Sequence, residues 1–340
     1  MKIIIVGAGG AIGSCLAGWV SEVNEETYLL DKPSVSEILK EKGITHYKEN
    51  GEKKNTKVKV IDKISEVKNP DLIAIVVKNY SIDGVAQMIK AEVKGSPIIL
   101  SLQNGVENQK ILPKYFKNVI YGIIEFNAWL DDVGVVGYQN RGPFVIGTPD
   151  NSLQDEIKNI AELFNKSVET IATDRINDAA YSKMVINLTN SYTTLVGMQY
   201  REITNLHAFK KVLTNSMYEG QKILKKMGVK EFKAHNMPSW TSMILGAKLP
   251  NFITDGMFKK NLAKMVLSSM AQDIIQRKTG ASELESLIGE FIVMAEKHSV
   301  DIPYNKTVYR LCKIKFNAET FVPMTEEEVL EEVKKEIKSK

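Results

Sequence analysis

The sequence contains few cysteines. Only Cys15 and Cys312 are present among its 340 residues, and neither belongs to a CxxC pair or to a Cys/His cluster. Disulfide frameworks and structural zinc sites need several such residues at short, regular spacings. The sequence therefore predicts reduced thiols, no disulfide framework and no bound metal.

A long hydrophobic run is also missing from the N-terminus. The apolar stretch there covers only residues 3–6 before glycines interrupt it. Such a stretch is too short for the apolar region of a secretion signal or for a membrane span. We expect a cytoplasmic protein with no membrane partner.

The chain has little net charge. Its 45 Lys and Arg against 41 Asp and Glu leave +4, which gives no reason to expect a nucleic-acid partner and would not repel an anionic substrate. The hydrophobic fraction of 44% and the charged fraction of 25% are ordinary for a globular protein. A length of 340 residues allows two domains of roughly 100–200 residues each.

The first half opens with a glycine-rich turn between a predicted strand and a predicted helix. Residues 2–7 contain a continuous β-branched run, three isoleucines and a valine, which is typical of a strand buried in a parallel sheet. Glycines that follow such a strand permit a tight turn and bring a pyrophosphate to the N–H groups of a helix N-terminus. The spacing is one residue longer than usual, because Ile12 occupies the place of the expected third glycine, which follows as Gly13. We expect a dinucleotide to contact Gly7, Gly9, Gly10, Ala11 and Ile12.

The second predicted strand, at 26–31, ends in Asp31, and a residue of opposite charge, Lys32, follows it. Asp31 is expected to accept hydrogen bonds from the adenosine ribose hydroxyls, which favours NAD(H). Lys32 could instead pair with the 2′-phosphate of NADP(H). The residues themselves leave the choice of cofactor open.

Polar residues also follow the strands predicted at 71–77 and 96–102. Ligands of open α/β sheets bind outside the carboxyl ends of the strands, so Lys78 and Asn104 are expected where cofactor and substrate meet. The alternation of strands and helices predicts an α/β Rossmann-type N-terminal domain, doubly wound around a mostly parallel sheet, over residues 1–174. Its further strands are predicted at 57–61, 118–124, 134–137, 144–146 and 169–173, with a helix at 153–165.

The second half is predicted to be all-α, with no strand after residue 175. It divides into a substrate and dimerisation domain over residues 175–323 and an amphipathic C-terminal helix over 324–340. Its amphipathic faces make a homodimer the expected assembly. The predicted helices cover 177–196, 205–228, 257–277, 282–299, 304–313 and 326–339.

Polar side chains interrupt this apolar pattern at three places. Lys183, Asn187 and Asn190 stand at i, i+4 and i+7, so one helix face carries an ammonium and two carboxamides. On this segment alone, the face could equally be a solvated stripe of an ordinary helix. Ser269 puts a hydroxyl on an otherwise apolar helix, and Glu283 lies in a predicted first turn, where simple capping is the alternative to a functional role.

These segments together resemble the ketopantoate reductase (2-dehydropantoate 2-reductase) family over most of the chain. Each piece is weak alone, but their order across both domains is specific. The matching pieces are Gly7-x-Gly9, Val77-Lys78, Leu100-Ser-Leu-Gln-Asn104-Gly, Tyr181-x-Lys183-x-x-x-Asn187, Ser268-Ser269-Met-x-Gln-Asp273, Ser282-Glu283-Leu-Glu285-x-x-x-Gly289 and His298-x-Val-x-Ile-Pro303-x-Asn305.

The resemblance implies roles for individual residues. Lys183 would be the general acid that protonates the developing alkoxide, and Glu283 would orient Lys183 and the substrate hydroxyl. Asn187 and Ser269 would hold the hydroxyl and carboxylate ends of the substrate. Asn190 is the nearest candidate for a second family asparagine, although it stands one residue early. The family also implies NADP(H) as the cofactor, with Lys78 and Asn104 at its junction with the substrate.

The sequence departs from the family in several places. Val266 stands where the family usually has a substrate-binding asparagine, three residues before Ser269. Two extra residues precede Glu283, residues 200–260 form a longer region than usual, and Asp31 differs from the basic residue of a strict NADPH enzyme.

The expected reaction is therefore NAD(P)H-dependent reduction of a 2-oxoacid to a 2-hydroxyacid, with 2-dehydropantoate, the precursor of (R)-pantoate in pantothenate biosynthesis, as the first-choice substrate. One alternative is an NAD-linked D-2-hydroxyacid dehydrogenase that acts on another branched or aromatic 2-oxoacid. A second alternative, from another class, is a non-catalytic dinucleotide-sensing protein.

Overall fold

The computed structural model describes residues 1–233, 238–263, 265, 267–278 and 282–339. These residues form two compact units, Met1–Ala180 and Tyr181–Lys340. Within the described ranges, no helix combines the length and the apolar character needed to cross a membrane.

The first unit is an α/β fold whose elements alternate along the chain. They are β1 (Ile3–Val6), α1 (Ala11–Ser21), β2 (Thr27–Leu30), α2 (Pro33–Lys42), β3 (Ile44–Lys48), β4 (Lys54–Thr56), β5 (Lys59–Val60), β6 (Leu72–Ile75), α3 (Ile82–Glu92), β7 (Ile98–Ser101), α4 (Asn108–Ile111), β8 (Val119–Ile124), β9 (Ala128–Asp132), β10 (Val135–Tyr138), β11 (Phe144–Gly147), α5 (Gln154–Phe164) and β12 (Thr170–Ala172).

Its main sheet has eight strands in the order β12-β11-β8-β7-β6-β1-β2-β5. All neighbours are parallel except β8 and β11. Ile3, Ile4 and Ile5 of β1 have no exposed surface, which explains their β-branched run. Because β2 and β6 flank β1 on opposite sides, the strand order reverses there, and a ligand crevice is expected at the carboxyl ends of these strands. The doubly wound prediction is confirmed.

A second sheet, of four strands in the order β4-β3-β10-β9, was not predicted from the sequence. Strands β3, β4 and β9 lie in segments without a predicted strand, whereas the strand predicted at 57–61 is present as the shorter β5 of the main sheet. The reason is long-range pairing, since β3 pairs in parallel with β10, about 90 residues later, as Thr45 does with Val135. Trp129 covers Gly137 so closely that a Cβ there would overlap the indole ring.

The second unit is helical, as predicted. Its first helix begins at Ile176, before the boundary between the units. The helices are α6 (Ile176–Leu195), α7 (Leu206–Lys226), α8 (Trp240–Lys248), α9 (Asn251–Leu262), α10 (Ser269–Ala271), α11 (Glu290–Lys297), α12 (Pro303–Phe316) and α13 (Glu326–Lys338), with π-helical turns at Gln272–Gln276 and Glu285–Gly289.

The prediction of one helix over 257–277 is wrong. Helix α9 ends at Leu262, and α10 begins at Ser269. Ser268 has an extended backbone, and its hydroxyl accepts a hydrogen bond from the N–H of Ala271 at 3.1 Å. A serine that caps in this way competes with helix continuation, and an apolar pattern that runs through the break does not reveal it. Helix α8 was not predicted.

Helix α6 packs against α7 and α12 of the second unit. A Cβ on Gly220 of α7 would lie 2.6 Å from Leu188 Cδ1, so α6 and α7 approach closely. The rings of Tyr192 and Phe209 lie 5.3 Å apart. The thiol of Cys312 on α12 donates to the Ser191 carbonyl at 3.5 Å. This packing fixes the orientation of the polar face of α6.

The C-terminal helix α13 packs on α7 and α12. Glu326 at its start has no exposed surface and pairs with Arg201 at 2.8 Å. Arg201 also donates to the carbonyl oxygens of Val196 and Met324. These bonds tie the beginning of α13 to the chain that follows α6.

Candidate active site

The glycine-rich turn after β1 fits only glycine at two of its positions. Gly7 has φ +93°, and a Cβ there would lie 2.8 Å from Val77 Cγ1 and 3.0 Å from its backbone nitrogen. A Cβ on Gly13 would overlap the carbonyl oxygen of Gly7. The turn therefore packs directly on the loop after β6 and on the first turn of α1, despite the extra residue in the motif.

The beginning of α1 provides hydrogen-bond donors beside this turn. Gly10 is the N-cap and has no side chain to satisfy them. Ala11 and Ile12 are the first two helical residues, whose N–H groups have no acceptor within a helix. Within the part of the chain that the structure describes, the Gly7 oxygen at 3.7 Å is the one atom within 4 Å of a Cβ on Gly10, so space is open above the donors. This cradle fits the pyrophosphate of a dinucleotide.

Asp31 and Lys32 follow β2 at the same edge of the sheet. The Asp31 carboxylate accepts hydrogen bonds from the N–H of Gly9 at its Oδ2 and from the N–H of Lys32 at its Oδ1, both at 2.7 Å. The exposed Lys32 is the N-cap of α2, and Pro33 follows it. Asp31 is thus tied to the glycine turn, and Lys32 reaches into solvent.

The loops after β6 and β7, which carry Lys78 and Asn104, are joined to each other. The side-chain amide of Gln103 donates to the carbonyls of Ile75 and Val77, at 2.7 and 3.0 Å. Asn79 donates to the carbonyl of Asn104 at 2.6 Å. The structure therefore brings the two predicted loops together at the edge that carries the glycine turn.

Gln103 and Asn79 were not identified from the sequence as residues of this site. Both are buried, with 4% and 5% of their surface exposed. The available signal was a polar side chain placed directly after a run of buried strand residues. That signal does not distinguish a side chain that binds a ligand from one that joins two loops.

In the second unit, Lys183, Asn187 and Asn190 lie on the single helix α6. Lys183 and Asn190 are half-buried, whereas only 7% of Asn187 is exposed. Among the described residues, the buried Nδ2 of Asn187 has no hydrogen-bond partner. A solvated stripe does not explain this residue. A buried donor without a protein acceptor is a candidate contact for a ligand.

Ser269 begins the short helix α10, next to the later part of α6. The hydroxyl of its neighbour Ser268 lies 3.2 Å from that of Thr194, which in turn donates to the carbonyl of Asn190 at 2.7 Å. Ser269 is half-buried. Val266, the departure from the family asparagine, lies outside the described residues.

Glu283 is buried, with 5% of its surface exposed, and its backbone carbonyl accepts the N–H of Leu287 at 3.1 Å. It lies just before the π-helical turn Glu285–Gly289, and a second π-helical turn, Gln272–Gln276, follows Ser269. Such turns are rare, and they occur frequently at functional sites. Both predicted residues therefore stand beside irregular helix.

Glu219, a buried carboxylate on α7, was also not predicted from the sequence. It accepts the N–H of Tyr304 at 3.0 Å, the N–H of Asn305 at 2.9 Å and the side-chain amide of Asn305 at 2.8 Å. Burial raises the pKa of Glu219 to about 7, although these hydrogen bonds act in the opposite direction. Asn305, the last residue of the predicted motif, thus ties the start of α12 to Glu219 of α7.

Comparisons with known proteins identify the family of the chain. Residues 3–151 match the family described as ketopantoate reductase PanE/ApbA, and residues 175–316 match its C-terminal domain. A 2-dehydropantoate 2-reductase of Pyrococcus abyssi is 27% identical over 316 residues, covering 92% of this chain and 97% of the relative. Its counterpart in Archaeoglobus fulgidus is 26% identical over 314 residues, covering 92% and 97%.

Solved structures share the fold. A ternary complex of D-mandelate dehydrogenase with NADH and anilino(oxo)acetate has a TM-score of 0.77 at 22% identity, covering 93% of this chain and 98% of its own. A ketopantoate reductase of Ralstonia eutropha JMP134 has a TM-score of 0.75 at 22% identity, covering 92% and 98%. The two family matches together span both units, so the chain belongs to the ketopantoate reductase family and is an NAD(P)-dependent oxidoreductase.

Proposed function

We propose that this chain reduces a 2-oxoacid to a 2-hydroxyacid, with 2-dehydropantoate as its substrate and (R)-pantoate as its product. The observation that carries the proposal is the polar face of α6, where the Nδ2 of the buried Asn187, one turn from Lys183, has no hydrogen-bond partner within the described ranges. The names of the relatives in Pyrococcus abyssi and Archaeoglobus fulgidus support this choice of substrate.

The first unit would hold the dinucleotide. The N–H groups of Ala11 and Ile12, with the open space at Gly10, would receive the pyrophosphate. Lys78 and Asn104, on loops held together by Gln103 and Asn79, would contact the nicotinamide end. When bound, the reduced nicotinamide supplies a hydride.

The second unit would supply the proton. Hydride addition at the ketone carbon leaves a negative charge on its oxygen, which the ammonium of Lys183 stabilises electrostatically. Lys183 then gives a proton to that oxygen as general acid, which completes the hydroxyl group. Glu283 would orient Lys183 and the new hydroxyl, and its burial favours a fixed orientation.

Polar groups near α6 would fix the substrate. Asn187 would donate its buried N–H to the substrate hydroxyl, and Ser269 would bind the carboxylate end. The contact between Ser268 and Thr194 supports this assignment, because it holds the start of α10 beside the later part of α6. Asn190 would be the second carboxamide of the site.

An NAD-linked D-2-hydroxyacid dehydrogenase that acts on another branched or aromatic 2-oxoacid is the second candidate. The Lys, Asn, Ser and Glu residues serve both reactions equally well. Asp31 at the end of β2 favours this candidate. The similar fold of D-mandelate dehydrogenase agrees with it but does not distinguish the two. A dinucleotide sensor would bind the cofactor without turnover.

Initial rates of NADH and NADPH oxidation, measured with 2-dehydropantoate and with a panel of branched and aromatic 2-oxoacids, separate these possibilities. A clear preference for 2-dehydropantoate supports the proposed reaction. Faster turnover of another 2-oxoacid supports the second candidate instead. Tight cofactor binding with no turnover of any 2-oxoacid would mean that the chain is a sensor.

We also propose a homodimer. A related ketopantoate reductase of Staphylococcus aureus, with a TM-score of 0.69 at 20% identity over 93% of this chain and 99% of its own, is described as dimeric. Helix α9 of this chain exposes Phe252, Ile253 and Met257, at 86%, 54% and 60%. An exposed apolar face of this kind is typical of an interaction surface.

A further inference from the structure

We infer that this chain prefers NAD(H) to NADP(H), and that Asp31 makes the selection; the inference rests on the proposed function in that the chain must bind a dinucleotide. The inference rests on the hydrogen bonds that hold the Asp31 carboxylate against the glycine turn at the end of β2.

Both carboxylate oxygens of Asp31 accept a hydrogen bond from a backbone N–H group. Oδ2 accepts the N–H of Gly9 and Oδ1 accepts the N–H of Lys32, each at 2.7 Å. A carboxylate offers about four lone-pair positions, so about two remain for other donors. Asp31 is half-buried, which leaves these positions within reach of a ligand. The two hydroxyls of an adenosine ribose are suitable donors for them.

The carboxylate cannot turn away without disturbing the turn that binds the pyrophosphate. A Cβ on Gly9 would lie 2.5 Å from Val35 Cγ1 and 3.2 Å from Asp31 Oδ2. The backbone of Gly9 is therefore enclosed between α2 and Asp31, and the hydrogen bond from its N–H fixes the negative charge at the end of β2. Any group attached to the ribose 2′-position must accommodate that charge.

A 2′-phosphate is poorly suited to this position. It brings about 1.5 to 2 negative charges at neutral pH and only acceptor oxygens, so it repels the carboxylate and cannot donate to it. The backbone N–H groups of Gly9 and Lys32 already donate to Asp31, and Pro33 has no N–H. The N–H and hydroxyl of the exposed Ser34, at the start of α2, are neutral donors that do not cancel the repulsion between the phosphate and the carboxylate. The remaining cation nearby in sequence is the exposed ammonium of Lys32, and ion pairs of exposed lysines contribute little.

The test compares the dissociation constants of NADH and NADPH for the full chain. Both are measured by isothermal titration calorimetry without substrate. The wild type is compared with Asp31→Asn, Lys32→Ala and the control Asp71→Asn. Asn keeps an oxygen that can accept from Gly9 N–H but removes the charge. Asp71 also accepts a backbone N–H at 2.7 Å, from Lys2, but at the opposite edge of the sheet.

We expect the wild type to bind NADH on the order of tenfold more tightly than NADPH. Asp31→Asn should narrow this ratio mainly by strengthening NADPH binding, because the repulsion is lost. Lys32→Ala should leave NADH affinity unchanged, and Asp71→Asn should change neither constant.

Equal or tighter binding of NADPH by the wild type would overturn the inference while leaving the proposed reaction intact. If the wild type favours NADPH and Lys32→Ala abolishes NADPH binding, Lys32 and not Asp31 selects the cofactor, and the inference is likewise overturned. Failure of the wild type to bind either dinucleotide would overturn the proposed function itself. The comparison of the two cofactors on the wild type does not depend on how well any variant folds.

Discussion

The carboxylate of Glu219 accepts two hydrogen bonds from Asn305, one from the backbone N–H at 2.9 Å and one from the side-chain amide at 2.8 Å. Asn305 has no exposed surface, and only 3% of Glu219 is exposed. The pair joins the middle of α7 to the first turn of α12. The contribution of this pair to stability depends on pH, because burial raises the pKa of Glu219.

Glu219→Gln tests that dependence. Burial raises the pKa of Glu219 to about 7, so the folded chain binds this proton more tightly than the unfolded chain does. The stabilisation from the proton is present below the unfolded pKa and is lost as the pH rises from about 4.5 through about 7. The free energy of unfolding of the wild type, relative to that of Glu219→Gln, should therefore fall by up to about 3 kcal/mol over this interval. Urea unfolding of both proteins at several pH values measures it. A difference that is independent of pH would show that the carboxyl group keeps an ordinary pKa.

Lys183→Ala should lower kcat by at least about 100-fold, because the proton donor and the positive charge near the alkoxide are lost together. The dissociation constant of the cofactor should be nearly unchanged. Single-turnover kinetics and cofactor titration provide the two readouts. The control is Lys211→Ala, which removes an exposed lysine of α7 and should affect neither. Parallel loss of turnover and of cofactor binding would assign Lys183 a structural role.

Asn187→Leu separates a substrate contact from a structural one. The buried Nδ2 has no partner among the described residues, so its removal should change the free energy of unfolding by less than about 1 kcal/mol. The value of kcat/KM should fall about 10- to 100-fold. Thr189→Val is the matched control on the same helix, since Thr189 is also buried and donates to the Ile186 carbonyl. A large loss of stability with unchanged kcat/KM would remove Asn187 from the site.

Gly13→Ala should abolish dinucleotide binding and lower the melting temperature, because its Cβ would overlap the Gly7 carbonyl and force the turn open. Gly84→Ala is the control, since a Cβ on Gly84 in α3 would have no neighbour within 4 Å among the described residues. That substitution should be neutral, or stabilising by up to about 1 kcal/mol. Cofactor titration and thermal unfolding measure both effects. Normal cofactor binding by Gly13→Ala would contradict the role given to the turn.

Phe252→Glu should convert the proposed homodimer into a monomer, since it places a charge on the apolar face of α9. Sedimentation velocity gives the mass of each species. Val293→Glu is the control, because Val293 is also largely exposed, at 60%, but lies on α11. A wild-type chain that sediments as a monomer, or a dimer that survives Phe252→Glu, would contradict this use of α9.

The sequence by itself determined the elements whose pattern is local. The run Ile3–Val6 specifies a buried strand, and the glycines after it specify a turn that no larger residue fits at Gly7 or Gly13. The spacing of Lys183, Asn187 and Asn190 placed them on one helix face, and α6 carries all three. In each case the residues that decide the structure lie within a few positions of one another.

Tertiary structure decided what depends on distant residues. Strand β3 exists because it pairs with β10, and its own polar alternating residues do not require it. The break before α10 was hidden by a continuous apolar pattern and depends on the cap at Ser268. Asp31 was visible as a charge at a strand end, but its hydrogen bond to Gly9 was not, because that bond joins residues 22 positions apart. Local sequence fixes backbone preference and periodicity, whereas burial and hydrogen-bond partners are set only when remote segments pack together.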